Sequence, residues 1–450
     1  MKKYILLVVI IFSIINVLPQ NISIKVKNLD EVKARLSSLQ GEKISFIDSI
    51  SPNKNGEFNF SLQIKHPGFY RLQFSTNKSL DFIYDNEEVE IETDANNISD
   101  NLQVIKSESN KTYYDFVKLN KAYKTKTELL QLILARYPKD DDYYQATKEK
   151  TIQIQEDYLN FVNITSQTNP QSFIARYVRS AQFPVLDSEI PFEKQLTFLK
   201  SHALDNVNFF DADLIYSDAF TNKAIEFLTY YRNPQLPLEL LEKEFVSAVD
   251  TILNKAKVNS MVYQHVVEYL LDGFKKFGFD NVLNYIVENY VIKDDLCLDQ
   301  KLTAALDKRI EQAKKFKVGI IVPNIEIPNL SGSIVELNKI KSEKILLIFY
   351  ASWCPHCQTL LPQVYEFYKN QKEKKLEVVA ISIDTSKADR LNFVKTHGLN
   401  EWLNACDLKG WDGKAAVDYF IYATPTMFLV DKDRKLIGMP KTVEELKKIS

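Results

Sequence analysis

Apolar and polar positions change their period along this chain, and each change marks a different kind of element. Between residues 21 and 105 the apolar positions alternate: Ile22, Ile24 and Val26; Phe58, Phe60, Leu62 and Ile64; Tyr70, Leu72 and Phe74. A period of two puts one face of a strand on a core. Asn55-Gly56 (after Pro52) and Pro67-Gly68 supply turns between the runs, and residues 89–93 read as a further strand behind an acidic turn at 85–88. The pattern predicts a small antiparallel β domain over 21–105.

From 106 to 318 the period becomes helical. Leu241, Phe245, Ala248, Val249 and Ile252 share one helical face, and Val262, Val266, Tyr269 and Leu270 share another. Pro138, Pro170, Pro184, Pro191, Pro234 and Pro237 divide the region into about six to eight predicted helices. The many aromatic residues here are expected in the core. His202 and His265 stand alone on their helices, without ligand partners at metal spacing, and are expected to be structural.

Strand and helix patterns alternate from 319 to 450. Residues 345–350 are continuously apolar, as in a strand buried on both faces of a parallel sheet. Residues 378–383 and 427–430 are two more such runs. Helical stretches follow Cys354 and occupy 386–396 and 414–419, and a capping box at Thr442 and Glu445 opens a last helix. The fold class is therefore multidomain: an N-terminal antiparallel β domain, an α-helical middle region and a C-terminal α/β domain.

Composition adds limits. With 57 basic and 59 acidic residues the net charge is −2, which gives no electrostatic reason to expect nucleic acid. Apolar residues at 45% and charged residues at 26% exclude wholesale disorder. Lys2 and Lys3 precede an apolar run at 4–18 that is shorter than the ~20 residues a membrane-spanning helix needs. Residues 1–20 are thus expected to be a secretory signal, with a retained N-terminal anchor as the alternative because no small-residue cleavage pair follows. The expected location is the periplasm, where disulfides persist.

Chemistry is concentrated in Ala351-Ser352-Trp353-Cys354-Pro355-His356-Cys357, between a buried strand and a helix. A cysteine at a helix N-terminus meets free backbone N–H groups and the positive end of the macrodipole, both of which favour a thiolate. The CxxC spacing lets the second sulfur pair with the first. Cys354 is the expected nucleophile and Cys357 the resolving thiol. Pro355 suits a first helical turn, which needs no donor there. A zinc site would need two further ligands, and only the isolated Cys297 and Cys406 remain. Both are expected to be buried small hydrophobes, and a disulfide between them is the other arrangement an oxidising compartment allows. No metal or organic cofactor is called for.

These residues resemble the thioredoxin-fold proteins, and the chain as a whole resembles the TlpA/ResA-like exported thiol–disulfide oxidoreductases. The hairpin-like stretch from Val322-Pro323-Asn324 to Leu330-Ser331-Gly332, Pro362 in the active-site helix, and Asp407-Leu408-Lys409-Gly410-Trp411 match landmarks of that group. Thr424-Pro425-Thr426 matches its cis-proline loop. The resemblance implies that Thr424 and Pro425 position substrate and that Trp353 shapes the surface meeting it. A β-rich domain and a helical segment ahead of such a module resemble the layout of exported Bacteroidetes proteins.

Two positions depart from the group. Leu360 stands where many relatives carry an acidic residue, and Ile348 stands where thioredoxin has a buried Asp. Peroxidatic relatives need Thr or Ser where this chain has Ala351. His356, when protonated, is expected to stabilise the Cys354 thiolate and raise the potential above thioredoxin's ~−270 mV. The expected function is disulfide exchange with cysteines of other exported proteins, with a membrane electron donor or oxidant as redox partner. The competing expectation is a protein that binds a client or envelope partner through residues 21–318, with the thioredoxin-like module secondary.

Overall fold

The computed structural model describes residues 21–29, 33–62, 66–187, 190–298, 303–329, 331–370 and 375–450. The expected leader at 1–20, Ile64 and Leu330 lie outside the described residues. The chain divides into two compact units, one ending at Leu283 and the other running Asn284–Ser450.

The first unit opens with two four-stranded sheets. One has the order β4-β1-β7-β8, built from β1 (Asn21–Lys27), β4 (Glu57–Ser61), β7 (Val89–Asp94) and β8 (Gln103–Lys106). The other has the order β3-β2-β5-β6, built from β2 (Ala34–Gln40), β3 (Lys43–Ile50), β5 (Gly68–Ser75) and β6 (Lys78–Tyr84). The alternating residues Ile22, Ile24, Val26, Phe58, Tyr70 and Leu72 enclose one core with residues of both sheets. Pairing is antiparallel throughout except between β1 and β7, which run parallel. Strand β3 is an edge strand exposed along most of its length.

The helices of this unit are α1 (Glu108–Arg136), α2 (Asp142–Thr168), α3 (Phe173–Ala181), α4 (Phe192–His202), α5 (Ala219–Thr229), α6 (Leu238–Ala256), α7 (Ser260–Phe277) and α8 (Asp280–Ile286), the last crossing the unit boundary. All six predicted breaker prolines fall outside the helices, with Pro191 and Pro237 capping α4 and α6. Phe245, Ala248, Val249 and Ile252 of α6 are buried, as are Val262, Val266 and Leu270 of α7. Asn110, at the start of α1, is fully buried and pairs with both main-chain groups of Ile83 on β6.

The second unit holds the α/β fold expected over 319–450 and begins earlier, at Asn284. After α9 (Ala304–Lys315) come the short hairpin β9 (Glu326–Pro328) and β10 (Ile334–Glu336). The main sheet has the order β13-β12-β11-β14-β15. Its central strand, β11 (Lys344–Tyr350), is parallel to β12 (Leu376–Ser382), which is parallel to β13 (Leu403–Ala405). On the other side β11 is antiparallel to β14 (Thr426–Asp431), followed by β15 (Leu436–Gly438). Residues 345–350 are all fully buried, which accounts for their unbroken apolar run. The helices are α10 (Pro355–Lys369), α11 (Lys387–Thr396), α12 (Lys414–Asp418) and α13 (Val443–Ile449). Helix α9 is tied to this domain: Gln312 donates to the carbonyls of Tyr419 and Phe420, and Phe316 stacks on Tyr419 at 5.2 Å.

All four cysteines carry free thiols. Cys406 is buried as expected. Cys297 is not: it is exposed, in irregular chain just beyond the turn at Asp294 and Asp295, outside any helix or strand. Among the described residues no helix is long and apolar enough to cross a membrane.

Candidate functional site

Strand β11 ends at Tyr350, and four residues later the chain turns into α10. Cys354 is the N-cap of that helix, Pro355 is its first residue and Pro362 lies inside it. The turn is closed by the Cys354 N–H donating to the Ala351 carbonyl at 3.2 Å. The Cys354 carbonyl in turn accepts from the N–H groups of Cys357 and Gln358, both at 3.1 Å. A cap residue with no oxygen on its side chain leaves the first-turn N–H groups available to the sulfur itself.

The two sulfurs sit in different surroundings. Cys354 is 5% exposed and Cys357 is fully buried. Burial pushes the Cys354 thiol up. The Thr424 side chain, the Cys357 thiol and the backbone N–H groups of Cys357 and His356 outweigh it, so the net shift is down from the ordinary 9.0. Burial pushes Cys357 up to about 12; the Ala351 backbone opposes the rise, and the adjoining Cys354 sulfur adds to it. The Cys354 thiol also donates to the Thr424 carbonyl at 3.2 Å. One thiol is thus primed to ionise and its partner is held protonated.

The other residues singled out by the sequence are distributed around this pair. Thr424 and Pro425 are joined by a cis peptide bond in the loop before β14, and Thr424 touches Cys354. Trp353 is 58% exposed, with its ring centroid 6.4 Å from that of the half-buried Trp411. His356 and Pro355 are exposed in the first turn of α10. The His356 main-chain N–H serves the Cys354 sulfur, and the residue as a whole is exposed. Cys406 and Cys297 are not part of the pair.

Sequence reasoning missed Asp384. It lies just past β12, is 1% exposed, and accepts from both the N–H (3.0 Å) and the hydroxyl (2.8 Å) of Ser352. The Ser382 hydroxyl donates to its other oxygen at 2.6 Å. Gln358 of α10 donates to the Ser352 carbonyl at 3.0 Å. The only sequence signal was an Asp closing the apolar run 378–383, a position equally suited to an exposed turn.

Residues 318–439 match the model of the AhpC/TSA family, and residues 20–113 match a domain of unknown function, DUF4369. Over 124 residues, 28% of this chain, the sequence is 35% identical to Thiol-disulfide oxidoreductase ResA of Bacillus thuringiensis, 69% of which is covered. It is 28% identical over 119 residues to ResA of Bacillus subtilis, covering 26% of this chain and 64% of that protein. Among solved structures, a thiol-disulfide oxidoreductase from Bacteroides fragilis is similar with 26% identity and a TM-score of 0.26, over 29% of this chain and 96% of that one.

Proposed function

The chain belongs to the ResA thiol-disulfide oxidoreductases, and from that premise we propose that it is exported and exchanges disulfides with cysteines of other exported proteins through Cys354 and Cys357. The observation that carries this reading is the contrast between the two sulfurs: Cys354 is lowered at the mouth of a helix, and Cys357 is buried and raised to about 12.

In the reducing direction the Cys354 thiolate attacks one sulfur of a client disulfide. A Cys354–client S–S bond forms, the client S–S bond breaks, and the departing client thiolate takes a proton from water. Cys357 then gives up its proton and attacks the Cys354 sulfur. The second client sulfur leaves as a thiolate and is protonated, so two electrons have passed to the client and the Cys354–Cys357 disulfide has formed. With its thiol raised to about 12, Cys357 is protonated at neutral pH and must lose that proton before it can attack the mixed disulfide. Run backwards, the same steps oxidise a client dithiol. A membrane electron donor or oxidant resets the pair and fixes the direction.

Thr424 and Pro425 line the approach to Cys354 and position the client main chain. Trp353 forms the exposed wall beside it, Pro355 starts the helix, and His356 tunes the potential. Export to the periplasm is supported by Lys2, Lys3 and the apolar run at 4–18.

Cys357→Ser tests the proposal. The variant is expected to accumulate a mixed disulfide through Cys354 with an exported client or a model disulfide protein, and Cys354→Ser is expected to trap nothing. Equal trapping by both variants, or by neither, would remove Cys354 as the nucleophile.

A further inference from the structure

Resting on the exchange reading above, we propose that Asp384 is the positioning residue that sets the reactivity of Cys354, by clamping the strand-to-helix turn through Ser352. The stabilisation a helix N-terminus offers an anion fades within one turn, so it depends on where the sulfur sits relative to the first N–H groups of α10. Cys354 is only two residues from Ser352, and the turn between them has a single internal main-chain bond, from Cys354 N–H to Ala351 O. Without an outside partner the chain at Ser352 would be held only by Gln358 of α10.

Asp384 supplies that partner from just past the end of β12, 32 positions further along the sequence. One carboxylate oxygen takes the Ser352 N–H at 3.0 Å and the Ser352 hydroxyl at 2.8 Å. The other takes the Ser382 hydroxyl at 2.6 Å and shares the Ser352 N–H at 3.2 Å, and the Ser382 hydroxyl accepts the Asp384 N–H at 3.0 Å. The carboxylate is therefore anchored to the end of β12 while it grips the active-site turn. Gln358 holds the opposite side of the same residue, through the Ser352 carbonyl at 3.0 Å. Ser352 is thus gripped through its N–H by the sheet and through its C=O by the helix. With Asp384 1% exposed, water competes little for these bonds.

The clamp is a matter of geometry, and Asp384→Asn separates geometry from charge. An asparagine keeps an acceptor oxygen for Ser352, and the Ser382 hydroxyl can turn to accept from its amide. Asp384→Ala removes both. The experiment is a thiolate titration of Cys354 by ultraviolet absorbance, together with the reduction potential against a glutathione buffer, on the full reduced chain. Circular dichroism confirms that each variant is folded.

Asp384→Asn is expected to titrate with the wild type. Asp384→Ala is expected to move Cys354 up by about one pH unit, cutting the thiolate at neutral pH about tenfold and making the potential more negative. Ser352→Ala keeps the main-chain bond, folds without difficulty at this half-buried position, and is expected to move Cys354 the same way by a smaller step. The proposal is overturned if folded Asp384→Ala titrates as the wild type, or if Asp384→Ala does not fold and Ser352→Ala shows no rise. It is equally overturned if Asp384→Asn, which keeps the acceptor, shifts as far as Asp384→Ala, or if both variants move Cys354 down, the direction that loss of a nearby negative charge gives. A wild type that exchanges no disulfides would instead defeat the functional reading, and the titration of Cys354 would still decide the clamp.

Discussion

The Cys354 thiol donates to the Thr424 carbonyl across 3.2 Å, although 70 positions separate the two residues in the chain. That carbonyl favours the protonated sulfur, whereas the Thr424 side chain lowers both Cys354 and Cys357. Thr424→Val leaves the carbonyl in place and removes the hydroxyl. It is expected to raise the Cys354 titration and slow alkylation at neutral pH about threefold to tenfold. The check is the pH profile of alkylation, and an unchanged profile would rule out any part for the hydroxyl.

The two cysteines give the reduced protein a stability that bends with pH. Cys354 ionises more readily in the folded chain than the ordinary 9.0, so between its lowered value and 9.0 the unfolded state binds more protons and stability rises with pH. Cys357 is raised to about 12, so from 9.0 up to about 12 the folded state holds the extra proton and stability falls. Denaturation midpoints of the reduced form should rise on approaching pH 9 and fall beyond it. The oxidised form has neither thiol and should lack both limbs, which makes the difference between the two redox forms the quantity to measure.

Burial on both faces made β11 legible, because a strand covered on both sides has no polar positions to interrupt 345–350. The motif around Cys354 and Cys357 was legible because its spacing and its place between strand and helix are local properties. Strand β3 was not: it is an exposed edge, so residues 43–50 carry no period that burial would impose. Asp384 was not legible for a different reason. Its meaning lies in a partner 32 positions away, brought beside it only by the parallel pairing of β11 with β12. Cys297 shows the limit of reading burial from residue type, since it lies in irregular chain after a turn and not on the face of a helix or strand.

The tilted pair of Trp353 and Trp411 provides a test of how clients are met. Trp411 sits in a short turn at Gly410–Asp412. Asp407 holds that turn by accepting from the N–H groups of Lys409 and Lys414, both at 3.1 Å. A Cβ at Gly413 would lie 2.7 Å from the Asp407 carboxylate, so a side chain there would push Asp407 off the turn. Removing an aromatic from the centre of a contact surface costs about 1–2 kcal/mol. Trp353→Ala should raise KM for a protein disulfide about fivefold to thirtyfold and leave reaction with a small disulfide unchanged. Equal losses on both substrates would mean that the tryptophan supports the cysteines and not the client.

Asn110 offers a stability test in the first unit. Its oxygen accepts the Ile83 N–H at 2.8 Å and its amide donates to the Ile83 carbonyl at 2.7 Å, with no solvent access. Asn110→Leu fills the space and leaves both main-chain groups unpaired, at about 1–3 kcal/mol each. The unfolding transition of this unit should move to lower urea, while the Cys354 titration stays where it was. A transition that does not move would show that Ile83 finds other partners.

His356 gives the sharpest check on redox tuning. Its imidazole is exposed in the first turn of α10, so a protonated ring meets the Cys354 thiolate through solvent. A charge pair of that kind is worth about 0.2–1 kcal/mol, which corresponds to roughly 5–20 mV for a two-electron couple. The sign follows from the state stabilised: a cation beside the thiolate favours the reduced form and raises the potential. His356→Ala should therefore be more negative than the wild type by that amount when the two are titrated side by side against a thiol buffer. A shift several times larger would mean that the ring turns inward to the sulfur on reduction. A shift in the positive direction would mean that the ring does not stabilise the thiolate, leaving the backbone N–H groups of α10 and the Thr424 side chain to set the poise.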